Sequence, residues 1–104
     1  MNKIFSMVGL ATRAGKTVAG EFSVEKAVKT NKAFVVIVSK EASDNTKKLF
    51  TNKCAYYKIP VYIYGTKDEL GLATGNGSRT SIAVLDPGFS ESLISMLEKE
   101  NGGN

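Results

Sequence analysis

Residues 34–38 read Phe-Val-Val-Ile-Val, and this run decides the fold class of the chain. A continuous apolar, β-branched segment is typical of a strand buried on both faces, whereas a half-exposed strand alternates apolar with polar residues. A strand of this kind needs helices on both sides of its sheet. The chain supplies them, because helical and strand patterns alternate on either side of the run.

Before this strand, the sequence predicts two helices and a short strand. Apolar residues of the first helix recur at the i, i+3, i+4, i+7 spacing of one helical face. They are Ile4, Met7, Val8 and Ala11. Ala14-Gly15 is expected to end this helix, residues 17–19 form a short strand that stops at Gly20, and residues 23–30 form a second helix.

After the central strand, the pattern predicts three more helices and two more strands. Ser43 is a candidate N-cap for the third helix, and Pro60 separates that helix from a strand at residues 61–64. Residues 66–69 read Thr-Lys-Asp-Glu, a capping box that opens a short fourth helix. The last strand is expected at residues 81–85, followed by a turn and a final helix.

Together these elements predict an α/β/α sandwich of three layers around a sheet of about four strands. No internal repeat or low-complexity linker divides the chain. We therefore expect a single domain over residues 1–100, with a frayed tail at residues 101–104.

The composition limits the chemistry of the protein. The chain contains no histidine and one cysteine, Cys54, so it lacks the commonest general base and the soft ligands of a zinc site. No cofactor, metal or enzymatic activity is expected. No apolar run approaches the ~20 residues that cross a bilayer, and the N-terminus does not resemble a signal peptide. We therefore expect a cytoplasmic protein without a membrane partner.

The charge is distributed unevenly along the chain. The formal net charge is +4, but residues 1–60 carry 11 basic and 4 acidic side chains, whereas residues 61–104 carry 3 and 6. A surface built from the first part would favour a polyanion such as a nucleic acid, although a solvated basic surface gives the same count.

Gly15-Lys16-Thr17 ends like a phosphate-binding loop but lacks the rest of that motif. The motif requires a glycine where Leu10 stands, and it should follow a strand rather than a helix. We interpret the segment as a helix C-terminus with a basic flank.

Two polar segments are candidates for ligand contacts. Residues 20–23 open the second helix with Gly20, which permits close approach of another backbone, and Lys26 lies one turn further on. Residues 76–80 form a polar, flexible loop in which Arg79 can hold a phosphate or stack on a base. A plain helix cap and a solvent-exposed turn are the simpler interpretations.

The four tyrosines, Tyr56, Tyr57, Tyr62 and Tyr64, are expected in the core or at its edge.

Several segments, in order and at matching spacing, resemble a known family over residues 4–97. They are residues 9–16, Gly20 with residues 26–28, and residues 35–38, 42–48, 53–61, 65–71 and 82–84. The resemblance is to the archaeal and eukaryotic kink-turn-binding ribosomal proteins, and most closely to their bacterial YlxQ-type members.

This resemblance implies an α/β/α sandwich with a mixed four-stranded sheet and a structured RNA partner, either ribosomal or kink-turn-like; it implies no oligomer. RNA would be bound by the start of the second helix and by the loop before the last strand. On this basis, Arg13, Lys16 and Lys26 are expected to contact phosphates. Glu21 and Ser23 are expected to make polar contacts at the helix start, where Gly20 permits close approach. Ser78 and Arg79 are expected to clamp the other side of the RNA, and Lys40 is expected to lie on the same face.

The sequence departs from the family at the helix start. Family members follow the glycine with an Asn-Glu pair that reads sheared G·A pairs, and here Phe22 and Ser23 occupy those positions. The loss of the pair predicts recognition that relies more on phosphates and shape, and therefore depends more on salt. The alternative is a protein-interaction adaptor of the same fold, which requires Phe22 to be exposed in an apolar patch. An enzyme is a third hypothesis, and the spacing of the acidic residues does not favour it.

Overall fold

The computed structural model describes residues 2–102, and within this range five helices alternate with four strands. The elements in chain order are α1 (Lys3–Arg13), β1 (Thr17–Ala19), α2 (Glu21–Lys29), β2 (Val35–Val38), α3 (Asp44–Tyr57), β3 (Val61–Ile63), α4 (Lys67–Ala73), β4 (Ser81–Val84) and α5 (Pro87–Gly102). None of these helices is long and apolar enough to cross a membrane.

The four strands form one mixed sheet in the order β1-β4-β2-β3. β2 and β3 are parallel, whereas β4 lies antiparallel to both β1 and β2. The two central strands, β2 and β4, are buried at every position. The mixed sheet and the buried second strand confirm the fold class expected from the sequence.

Helices cover both faces of the sheet and enclose two separate cores. Along β2, Val35 and Ile37 pack towards α1, α4 and α5, whereas Val36 and Val38 pack towards α2 and α3. Because successive strand residues point to opposite faces, both sets must be apolar when both faces are covered. This explains the uninterrupted Val-Val-Ile-Val run.

The helix boundaries differ from expectation at the start of α2 and at both ends of α5. α2 begins at Glu21, two residues earlier than expected, because Gly20 occupies the N-cap position with φ 97°. α5 begins at Pro87, where the Asp86 carboxylate accepts a hydrogen bond from the backbone N–H of Phe89 at 2.9 Å. α5 also extends to Gly102, into the tail expected to fray, and residues 103 and 104 lie outside the described residues.

The expectation that all four tyrosines lie in the core or at its edge is wrong for Tyr56, which is 78% exposed. The buried stripe of α3 contains Phe50 and Cys54, with the half-buried Tyr57 beside it. Since successive helical residues are about 100° apart, Tyr56 points away from this stripe. Tyr62 and Tyr64 are half-buried, as expected.

Candidate nucleic-acid interface

The sheet topology brings both candidate contact segments to one end of the sheet. Gly20 follows β1 and donates its backbone N–H to the Ser81 carbonyl at the start of β4, at 2.9 Å. Ser39 follows β2 and donates its N–H to the Thr80 carbonyl at 2.8 Å. We call this end, formed by residues 20–23, 39–40 and 76–80, the α2 end of the sheet.

Gly20 is the pivot between β1 and α2. Its φ of 97° and ψ of 150° are accessible to glycine but strained for other residues. A Cβ atom at this position would lie 4.0 Å from Cδ of Arg79. The aliphatic stem of Arg79 therefore passes directly beside Gly20, so the helix start and the loop before β4 form one continuous surface.

The first turns of α2 present a mixed set of exposed side chains. Glu21 is exposed, and its Oε1 accepts a hydrogen bond from the Thr46 hydroxyl at 3.1 Å, which links the start of α2 to α3. Ser23 and Lys26 are also exposed. Phe22 is 81% exposed, the highest value among the large apolar side chains of residues 2–102. This exposure meets one part of the condition that the protein-interaction alternative sets, but the neighbours of Phe22 along α2 are polar or charged and do not extend it into an apolar patch.

The loop at residues 76–80 is held against α4 by hydrogen bonds rather than being free. The Asn76 N–H donates to the Gly71 carbonyl at 2.8 Å, and the Arg79 N–H donates to the Lys67 carbonyl at 3.0 Å. A Cβ atom on Gly71 would lie only 1.9 Å from the carbonyl oxygen of Gly77. Gly71 therefore allows the loop backbone to pack directly on α4.

Ser78 and Arg79 differ in the capacity they have left for a ligand. The Ser78 hydroxyl donates to Oδ1 of Asp68 at 2.5 Å, so its proton is already engaged. Arg79 is half-buried and uses Nη1 to donate to the Ser78 carbonyl at 2.9 Å. A guanidinium carries five donors, and this contact occupies one of them. Arg79 is therefore the better placed of the two to bind a phosphate.

Lys40 also lies at the α2 end. It is exposed, and its backbone N–H donates to the Gly65 carbonyl at 2.9 Å. Nearby, the Lys67 N–H donates to Oε1 of Glu41 at 2.9 Å. The segments after β2 and β3 are thus joined at this end, and the backbone of Lys40 follows Ser39, which bonds to Thr80 in the loop before β4.

Arg13 and Lys16 are not brought to the α2 end. The Lys16 carbonyl accepts a hydrogen bond from the Leu85 N–H at 2.8 Å, beyond the far end of β4. The three residues of β1 lie between Lys16 and Gly20, so the two are four extended residues apart, a length of about 13 Å. Arg13 ends α1 and lines a groove with Leu72 near the end of α4. The α2 end therefore contains six of the nine expected site residues, and Lys26 lies three residues beyond Ser23 on the exposed side of α2.

The two helical layers carry opposite charge. α2 and α3 together contain five lysines and three acidic residues, whereas α1, α4 and α5 together contain four basic and five acidic residues. The uneven charge along the sequence is thus an uneven charge across the sheet. A polyanion would be attracted to the α2 and α3 side.

The titratable groups whose pKa is shifted lie outside the α2 end of the sheet. Burial raises the pKa of the Cys54 thiol to about 11, which keeps it protonated and unreactive at neutral pH. Burial, with the Glu98 carboxylate that accepts its hydroxyl proton, raises the pKa of Tyr62 to about 12. Within residues 2–102, no three His, Cys, Asp or Glu side chains are grouped closely enough to hold a metal ion.

Asp68, Gly71 and Thr46 support the site but were not identified from the sequence. Each acts through a partner distant in the chain: Asp68 on Ser78, Gly71 on Gly77 and Thr46 on Glu21. No local motif marks such pairs, so only the folded arrangement reveals them.

The fold and this surface define a three-layer α/β/α protein with a cation-bearing contact surface at one end of a mixed sheet. The chain belongs to the ribosomal protein L7Ae/L30e/S12e/Gadd45 family, whose model matches residues 2–94. This match confirms the resemblance inferred from the sequence.

Individual relatives support the assignment over most of the chain. The chain is 42% identical to the RNA-binding protein YlxQ of Bacillus subtilis, over 90% of this chain and 94% of that protein. It is 35% identical to the large ribosomal subunit protein eL30 of Candida albicans, over 89% and 90% of the two chains. A solved structure of a Bacillus halodurans protein of unknown function superposes with a TM-score of 0.91 at 40% identity, covering 94% of this chain and 99% of that one.

Proposed function

We propose that this chain is a ribosomal-protein-like RNA-binding domain that contacts structured RNA through the α2 end of the sheet. The observation that carries the proposal is the packing of the Arg79 stem beside Gly20, which joins the helix start and the loop before β4 into one surface. The RNA-binding name of the Bacillus subtilis relative supports the choice of ligand. The protein acts by binding rather than by catalysis.

The proposed contacts are of two kinds: cations that bind RNA phosphates, and a glycine that allows the RNA backbone to come close to the protein. Lys26, Lys40 and Arg79 supply cations for phosphates, and Gly20 leaves room for the RNA backbone to approach the start of α2. Glu21, Ser23 and Ser78 are exposed polar groups of the same proposed surface. Arg13 and Lys16, at a distance from this cluster, are not part of the proposed interface.

We further propose that the RNA is recognised mainly through its phosphates and its shape. Phe22 and Ser23 replace the Asn-Glu pair of the kink-turn readers, so direct readout of G·A pairs is reduced. The proposed partner is a ribosomal or kink-turn-like RNA in the cytoplasm. Its binding should weaken steeply as salt increases, since each neutralised phosphate releases counterions.

The test is the double variant Lys26→Ala/Arg79→Ala, titrated against a kink-turn RNA and a plain hairpin at two salt concentrations. We expect affinity to fall roughly 10- to 100-fold, because two charge-assisted contacts are lost. The slope of log affinity against log salt should become shallower by about 1 to 2. A folded double variant that binds as well as the parent would contradict the proposed interface.

A matched control removes the same charge elsewhere. Lys32→Ala/Lys99→Ala takes two exposed cations from the loop before β2 and from α5, away from the proposed contacts. This variant should retain most of the affinity. Equal losses in both double variants would indicate a general effect of net charge rather than a localised site.

The second candidate function is a protein-interaction adaptor of the same fold, favoured by the 81% exposure of Phe22. It predicts that the parent protein binds neither RNA, even at low salt. The RNA titration therefore separates the two functions directly.

A further inference from the structure

Phe22 forms one wall of a shallow groove along the outer face of α2. The groove has a volume of about 240 Å³, and Glu25, Lys26, Lys29 and Thr30 line the rest of it. Phe22 and Lys26 are four residues apart, so they are neighbours on one face of the helix. Phe22, which is 81% exposed, thus shares one helical face and one groove with Lys26.

The groove carries a net positive charge. Oε2 of Glu25 lies 3.3 Å from Nζ of Lys29 and 3.8 Å from Nζ of Lys53, so this carboxylate is shared by two lysines. Among residues 2–102, Lys26 forms no ion pair with an acidic side chain. The groove therefore offers an aromatic face together with an ammonium group that is free to bind an anion.

This combination fits a nucleotide better than a protein surface. A protein-docking patch is normally a contiguous apolar area of several hundred Å², yet Phe22 stands among Glu21, Ser23, Glu25 and Lys26. A nucleotide needs one aromatic ring for its base and one cation for its phosphate. Both are present here at adjacent positions on α2.

We propose that Phe22 stacks on an unpaired nucleobase while Lys26 binds the adjoining phosphate, so that this chain selects RNA with an unstacked nucleotide. The inference rests on the proposed RNA-binding function and adds a ligand feature to it. A fully paired helix keeps its bases stacked on one another and has no free face for Phe22. The chain should therefore discriminate between looped and paired RNA even without the Asn-Glu pair.

The first test compares a hairpin containing an unpaired internal loop with the same hairpin fully paired. Phe22→Ala should weaken binding to the looped RNA roughly 5- to 150-fold, the range for loss of one stacked base. Binding to the paired RNA and the salt slope should not change, because no charge is removed. Tyr56→Ala is the matched control, since it removes another exposed aromatic side chain from the same helical layer.

A second measurement reports on the ring itself. The chain contains no tryptophan, so Phe22→Trp introduces a single indole at the groove. Stacking on a base should quench its fluorescence when looped RNA is added. The indole of Tyr56→Trp should respond little to the same RNA.

The outcomes distinguish this inference from the function on which it rests. If the parent binds looped RNA, but Phe22→Ala binds equally well and the Phe22→Trp indole is not quenched, base stacking is contradicted and the RNA-binding function stands. If the parent binds neither RNA, both fail. A Phe22→Trp emission that shifts with protein concentration in the absence of RNA would show that a second copy covers Phe22, and this too overturns base stacking.

Discussion

Two glycines shape the proposed contact surface by different means. Gly20 is required for its backbone conformation, since its φ of 97° is strained for any residue with a side chain, although a Cβ atom there would meet Cδ of Arg79 only at an ordinary contact distance of 4.0 Å. Gly71 is required for space, because its neighbour is the backbone of the loop before β4 rather than a flexible side chain. Gly20 therefore sets the direction in which α2 leaves β1, and Gly71 allows the loop that carries Arg79 to pack on α4.

Gly71→Ala should therefore displace this loop. The added methyl group would lie 1.9 Å from the Gly77 carbonyl oxygen, and we expect the free energy of unfolding to fall by about 1–3 kcal/mol, the usual cost of overpacking. Denaturant unfolding measures the change. Gly77→Ala is the control, because its Cβ atom would meet nothing within 4 Å. Equal stability of the two variants would show that the close packing is unimportant.

At the scale of single residues, the sequence indicated which side chains were polar or charged but not which were already engaged. The motif around Gly20 could be recognised because Gly20, Ser23 and Lys26 are local in the chain. The Ser78 hydroxyl, by contrast, is engaged by Asp68 on α4, and only the folded structure shows this pair.

At the scale of secondary structure, all nine elements follow from periodicity and capping. The Thr66 capping box and the Ser43 N-cap are both formed, with the Glu69 N–H donating to Thr66 Oγ1 and the Thr46 N–H donating to Ser43 Oγ, each at 3.1 Å. The start of α2 could not be located to the residue, because Gly20 caps the helix without a side-chain signal. The expectation for Tyr56 was wrong because it treated the four tyrosines alike, although Tyr56 lies off the face of α3 that buries Phe50 and Cys54.

The contact between β3 and α5 gives the molecule a pH dependence at high pH. The Tyr62 hydroxyl donates to Oε2 of Glu98, and burial together with this carboxylate raises the pKa of Tyr62 from 10.0 to about 12. Between these values, the unfolded chain has released a proton that the folded protein still holds. Stability should therefore be intact below pH 10 and decline as the pH rises from 10 to 12.

Tyr62→Phe removes this titrating group, so the free energy of unfolding should decline less steeply over that range. Urea unfolding at a series of pH values measures the slope. Glu98→Gln, which removes the negative charge but keeps a hydrogen-bonding side chain, should reduce the slope in part. An unchanged slope in Tyr62→Phe would assign the alkaline decline to other groups.

At the scale of the whole molecule, strand direction decides which segments meet. β4 runs antiparallel to both β1 and β2, so the residue after β1, the residue after β2 and the loop before β4 come together at one end. The positive charge of one helical layer has a similar origin, because the lysine-rich helices α2 and α3 pack on the same face of the sheet.

The sequence could not supply this arrangement from its residues alone. Helix and strand patterns give the layers, but strand order and direction depend on contacts between distant segments. Arg13 and Lys16 show how position in the chain differs from position in the fold. They lie just before β1, whereas Gly20 lies just after it, so they are at the opposite end of the sheet from Gly20. The family resemblance supplied the mixed sheet and the paired contact segments, which the residue patterns left open.

The most direct test of the central claim is to map the bound RNA on the isotopically labelled full chain by backbone amide chemical shifts, using a kink-turn RNA hairpin. We expect the largest shifts at residues 20–26, 39–40 and 76–80, with residues 31–33 and 58–59 at the opposite end of the sheet unchanged. Shifts concentrated at that opposite end, or on α4 and α5, would contradict the proposed interface.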